Sequence, residues 1–251
     1  MRRYLIVLSL LVLGTSMAIF GFTSRKSAIT QIDLPRIKNN MTESLQFVEW
    51  RDLQGQLVLR LKNVSKKPIT GYILEWGTGS VEKDFLTASQ NLDPEGVTEN
   101  YFSKIDFEAP RNIKEIRIAL VMFDDSSSEG DYHWDQAMRD KRSGIKYQLQ
   151  IIIDNLKAIV KSPQKVSIPS VATISSRNQQ LVEITSESRS GDFQIGVKYA
   201  IDSTTLLLDD LDKWEKSGKS IRLRYELIGI NNLSDGISKI IEHNEKLIEK
   251  L

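Results

Sequence analysis

The densest run of ligand-type oxygens in the sequence is Asp124-Asp125-Ser126-Ser127-Ser128-Glu129-Gly130-Asp131, with His133 two residues further on. Oxygen donors at alternating positions are what a calcium loop uses, with a glycine at its sixth position and a bidentate glutamate at its end. Aligning Asp125, Ser127, Glu129 and Gly130 with that pattern puts Gln136 where the closing glutamate belongs. The ligand that seals such a site is therefore missing. Asp125, Glu129, Asp131 and His133 stand as candidate metal ligands. The structural alternative is a strand-to-helix turn whose acids favour a helix N-terminus, and it explains the run with fewer assumptions. His133 also has general-base chemistry, but no partner stands at motif spacing. His243 lies in a charged C-terminal segment and has no chemical company there.

The other chemistry-like patterns fail on their own terms. Gly218-Lys219-Ser220 resembles the end of a phosphate loop, but Lys213 occupies the place of the required first glycine. Ser143-Gly144-Ile145-Lys146 and Ser162-Pro163-Gln164-Lys165 match Ser-x-x-Lys without a Lys-Thr-Gly partner. There is no Gly-x-Ser-x-Gly elbow. The chain has no cysteine, which removes thiol nucleophiles, disulfides and Cys-based zinc sites. Carboxylate pairs for glycoside hydrolysis are a spatial matter and stay open. Trp50, Tyr72 and Trp76 could form an aromatic ligand face, but they follow strand alternation and read as core. No cofactor is expected.

The elements that must position these residues begin with a leader. Arg2 and Arg3 precede Tyr4–Phe22, 19 residues without a charge. As a helix this run spans about 28 Å, one bilayer core. It serves equally as a cleaved signal peptide, with Ser16-Met17-Ala18 at the cleavage positions, or as an uncleaved anchor. Without residues 1–22 the chain keeps 32 basic against 33 acidic residues. That balance gives no electrostatic reason for nucleic-acid binding. Residues 23–42 are polar and read as a tether. From Ser44 to Asp125 the pattern is β. Leu57, Leu59 and Leu61 alternate with Val58, Arg60 and Lys62, Ile69–Trp76 sets Tyr72, Leu74 and Trp76 on one face, and Ile116, Ile118 and Leu120 share another. Six short strands without intervening helices predict an antiparallel sandwich.

Trp134, Met138, Ile145, Leu149, Ile152, Leu156 and Ile159 then recur at helical spacing, with Asp131 as N-cap and Pro163 as stop. Such a helix would be about 48 Å long, against about 20 Å for a six-residue strand. It must overhang the sandwich or break near Ser143-Gly144. Residues 163–191 are a Ser-rich connector. Phe193–Ile201 and Ile221–Leu227 fit helix and strand alike. Ile237, Ile241, Ile248 and Leu251 line one face of a last helix.

The passage Val121-Met122-Phe123-Asp124-Asp125, then serines, then Glu129-Gly130-Asp131 resembles one found in uncharacterised exported bacterial proteins with a sandwich, an acidic turn and a long helix. The resemblance covers residues 50–160. It implies that architecture and export, and it carries no activity or site residue. The whole reads as an α+β chain: an N-terminal signal or anchor helix (residues 1–22), a tether (23–42), a small antiparallel Ig-like β-sandwich (43–126), a long helix (131–162), the connector (163–191) and a helical C-terminal region (192–251). The expected role is non-catalytic binding or scaffolding outside the cytoplasm, secreted, periplasmic or anchored, with membrane contact only through residues 4–22. The alternatives are a carboxylate-dependent cell-envelope hydrolase and an assembly module. In the latter, a protein partner or a second copy seats on Ile237, Ile241, Ile248 and Leu251.

Overall fold

The computed structural model describes residues 34–38, 41–53, 56–77, 79–86, 91–103, 113–161, 190–218 and 223–251. The expected leader (1–22) lies outside them, as does the connector up to residue 189. Among the described residues no helix is long and apolar enough to cross a membrane.

Among the described residues eight strands form two sheets. Strands β2 (Leu45–Leu53), β3 (Gln56–Asn63) and β6 (Val97–Ser103) make an antiparallel sheet in the order β2-β3-β6. The second sheet has the order β1-β7-β4-β5, from β1 (Arg36–Lys38), β7 (Glu115–Phe123), β4 (Ile69–Trp76) and β5 (Gly79–Asp84); β8 (Ser128–Gly130) also pairs with β7. Leu57, Leu59 and Leu61 from the first sheet meet Tyr72, Leu74, Ile116 and Ile118 from the second, all nearly inaccessible. Burying each such side chain is worth about 1.5–3 kcal/mol, so this alternation dictates a sandwich.

Two expectations are corrected here. Arg36–Lys38, read as tether, adds to β7 in parallel, with Ile37 opposite Ile116; the sheet is mixed. Ile116, Ile118 and Leu120 do not share a face. Ile73 pairs with Leu120 and Leu74 with Ile118, so Ala119 is an extra residue on β7. A bulge of this kind shifts the alternation by one. Ile116, Ile118, Val121 and Phe123 therefore point between the sheets, while Ala119, Leu120 and Met122 point to the opposite face. There Met138 and Trp134 of the first helix pack on them. The result is three layers: sheet, sheet, helix.

Helix α1 (Tyr132–Lys161) runs 30 residues without a break. Its N-terminal half covers the mixed sheet. Its second half overhangs, and Ile145, Leu149, Ile152, Ile153 and Leu156 enter a separate core with helices α2 (Gly191–Lys216) and α3 (Leu233–Lys250). Gly144 is where α2 crosses closely: a Cβ there would stand 2.9 Å from the Phe193 carbonyl carbon. Gly196 mirrors it, 2.8 Å from the Lys141 carbonyl carbon. Ser190 bonds Asp140, and Phe193 and Val197 lie at Gly144, so α1 and α2 run in the same sense. Thr204 meets Asn244 and Leu211 meets Gly236, so α3 returns antiparallel to α2. The ambiguous stretch from Phe193 is helical. The second ambiguous stretch holds a short 3₁₀ turn at Tyr225–Leu227.

Candidate functional site

The acidic turn is built as a set of structural ties. Lys67 Nζ lies 2.6 Å from Asp125 Oδ2, and the Ser127 hydroxyl and amide also donate to Asp125. Lys67 first, then Ser127, holds the Asp125 carboxyl well below the usual carboxylate range. Glu129 takes a different partner: the backbone amides of Glu43 and Ser44 donate to its Oε2 at 3.0 and 3.1 Å, and the Ser44 hydroxyl to its Oε1 at 2.7 Å. Asp131 accepts the His133 amide at 2.9 Å, as an N-terminal cap would, and also approaches Arg117 at 3.5 Å. The His133 ring lies 6.1 Å from that of Trp134. The three candidate carboxylates are thus committed separately, and among the described residues no three acid or histidine side chains converge on a metal position. Gly130 fixes the geometry: its φ is +123°, and a Cβ would stand 2.9 Å from Leu120 Cα. The serine-rich turn is closed by the chemistry of strand and helix ends.

A buried ion pair joins sandwich and helix. Arg142 Nη2 lies 3.0 Å from Asp84 Oδ1 and 3.0 Å from the Thr70 carbonyl, with the two side chains 9% and 4% exposed. Gly71 lets it in: a Cβ there would stand 3.0 Å from Arg142 Nη2 and 3.1 Å from Met138 Sδ. Sequence reading passed over Arg142. Its only signal was an arginine one turn after Met138, on the helix face that had to meet the sheet.

A polar cluster crosses the sandwich at its β5–β6 side. Tyr72 and Lys83 stand opposite each other in the mixed sheet. Tyr72 donates to Asn100 Oδ1 at 2.8 Å, and Lys83 Nζ donates to Thr98 Oγ1 at 3.1 Å and to the Glu99 carbonyl at 2.8 Å. Burial pushes the Tyr72 phenol up to about 12 and the Lys83 amine down. Asn100 is buried, and its Nδ2 donor has no partner. As alternation implied, Tyr72 is core. Trp50 and Trp76 flank Phe102, with ring centroids 5.8 and 5.6 Å away.

A concavity of about 590 Å³ lies between α3 and Leu86; Leu86, Ile228 and Leu247 supply apolar surface, while Glu226, Glu242, Lys239, Lys246 and His243 bring charge of both signs. Burial lowers the pKa of His243. Lys246 holds Glu242 below its ordinary value, the wrong direction for a proton donor. A second hollow of about 250 Å³ is bordered by Arg139, Arg142, Lys146, Ser126 and Ser143. Two of its cations are already occupied: Arg139 by Asp135 and Arg142 by Asp84. The apolar stripe of α3 is spent inside the bundle. Ile237 and Ile241 belong to its core, and Ile248 and Leu251 pack against it.

The architecture defines a class: an α+β protein whose two-sheet sandwich carries a three-helix arm. The comparisons with known proteins add nothing narrower: no family model, no curated protein and no solved structure matches the chain.

Proposed function

We propose that this chain is a non-catalytic binding or scaffolding protein that works outside the cytoplasm, delivered there by its apolar leader. The observation that carries the binding role is the groove between α3 and Leu86. Its mixed lining, with Leu86, Ile228 and Leu247 beside charges of both signs, suits a peptide or protein surface better than a small substrate. The apolar run after Arg2 and Arg3 supports the location. The acidic turn supports a structural reading, because its three candidate carboxylates, Asp125, Glu129 and Asp131, already have other partners.

Two measurements test this. Fractionation of cells expressing the tagged chain, with the mass of its N-terminus, should place it in the membrane or beyond it; intact chain dissolved in cytosol would refute the location. A photo-crosslinking residue in place of Ile228 should trap a partner in cells, and Leu86→Glu should abolish that adduct. An adduct of the same yield from Tyr101, on the far sheet, would refute the groove.

A further inference from the structure

We propose that the hollow of about 250 Å³ beside α1 is a binding site for a small divalent oxyanion, a phosphate or the phosphate group of a monoester. It shares no lining residue with the groove at α3 and is a site additional to it. Arg139, Arg142, Ser143 and Lys146 line it from α1 at positions i, i+3, i+4 and i+7. That spacing gathers them on one helix face, within about 11 Å along the axis. Ser126 lines it from the acidic turn, where its carbonyl accepts from Arg139 Nη2 at 2.8 Å. Among the described residues no carboxylate side chain borders the hollow.

The two guanidinium groups are held in place without being used up. Asp135 takes Arg139 Nε, and Ser126 takes its Nη2. Asp84 and Thr70 take Arg142 Nε and Nη2. Neither Nη1 has a partner among the described residues, and the same holds for Lys146 Nζ and for the Ser126 and Ser143 hydroxyls. A guanidinium already fixed by a carboxylate loses little freedom when it donates once more. The three cations of the hollow stand against the two carboxylates behind them, Asp135 and Asp84, so one positive charge is left over. Donors that arrive from both a helix and a turn need an acceptor with more than two oxygens. A phosphate group presents three or more, a carboxylate only two, and pairing of phosphate with arginine forks is strong and directional.

The test titrates the full folded chain calorimetrically with inorganic phosphate, and separately with glycerol phosphate, at low ionic strength. Each should fill one saturable site, with sulfate competing. Lys146→Glu and Ser143→Asp change exposed side chains and should each weaken binding about tenfold or more without moving the melting temperature. Lys114→Glu makes the same charge change just before β7, at the strand end opposite Met122, and should leave binding intact. Sedimentation with phosphatidylcholine vesicles, with and without phosphatidic acid, separates two sources of the monoester. Pelleting that depends on both Lys146 and phosphatidic acid assigns the group to a lipid, and glycerol phosphate binding without pelleting assigns it to a soluble ligand. Absence of saturable binding to phosphate and glycerol phosphate would overturn the proposal. Equal weakening by Lys114→Glu and Lys146→Glu would overturn it as well, since the attraction would then belong to net charge and not to the hollow.

Discussion

Replacing Gly196 by alanine adds one methyl group at the point where α1 and α2 cross. The new Cβ would stand 2.8 Å from the Lys141 carbonyl carbon and 2.9 Å from Ile145 N. Comfortable separations are about 3.5–4.0 Å, so the helices must part by roughly 1 Å. Both obstacles are backbone, which cannot swing aside as a side chain would. Overpacking of this kind costs about 1–3 kcal/mol. Alanine returns up to about 1 kcal/mol of helix propensity. The net expectation is a loss of about 1 kcal/mol, read as a fall of roughly 2–4 °C in Tm for a chain of this size. Gly191→Ala supplies the control, because nothing lies within 4 Å of a Cβ there. Urea melts of the two variants decide the matter. If Gly196→Ala is as stable as the parent, the crossing is not set by these glycines and the reasoning fails.

The other predictions concern buried polar ties. Arg142→Ala strands the Asp84 carboxylate, 4% exposed, and should cost about 3–5 kcal/mol, whereas the double change Arg142→Met with Asp84→Leu should recover most of it; equal losses in the single and double variants would contradict this. Tyr72 should be the last of the seven tyrosines to ionise in an ultraviolet titration, at about pH 12, and Tyr72→Phe should delete that step. Its folded value lies above the unfolded one of about 10, so its stabilising effect is whole below about pH 10 and disappears as pH rises toward about 12. Glu129→Ala should speed hydrogen exchange at the Glu43 and Ser44 amides and cost about 1 kcal/mol; unchanged exchange would mean that the turn does not hold this segment.

Sequence reading recovered what periodicity encodes. Leu57, Leu59 and Leu61 gave the inner face of a sheet, and Trp134 through Leu156 gave one long helix. It missed what depends on a single inserted residue. Ala119 is as ordinary in the sequence as its neighbours, yet as a bulge it turns Leu120 and Met122 toward α1. Gly144 was a candidate break because glycine weakens helices. In the structure it is a close crossing, a property of Phe193, 49 positions away. The ties of Glu129 to Ser44 and of Arg142 to Asp84 are long-range, and no local spacing announces them. The candidate metal set failed to converge for a related reason: adjacent acids in a turn diverge when each caps a different element.

Those same ties explain why α1 belongs to both halves. Its first turns bury Trp134 and Met138 on the mixed sheet, a surface that exists only because the β7 bulge exposes Leu120 and Met122 on that side. Arg142 then fixes the helix to β5 through Asp84 and to β4 through Thr70. One turn later Ile145 is already in the bundle core, and Gly144 admits α2. There is no stretch between the two cores in which α1 is free of both, so the helix cannot hinge there without exposing apolar surface or unpairing a buried charge. The arm is therefore held rigidly against the sandwich.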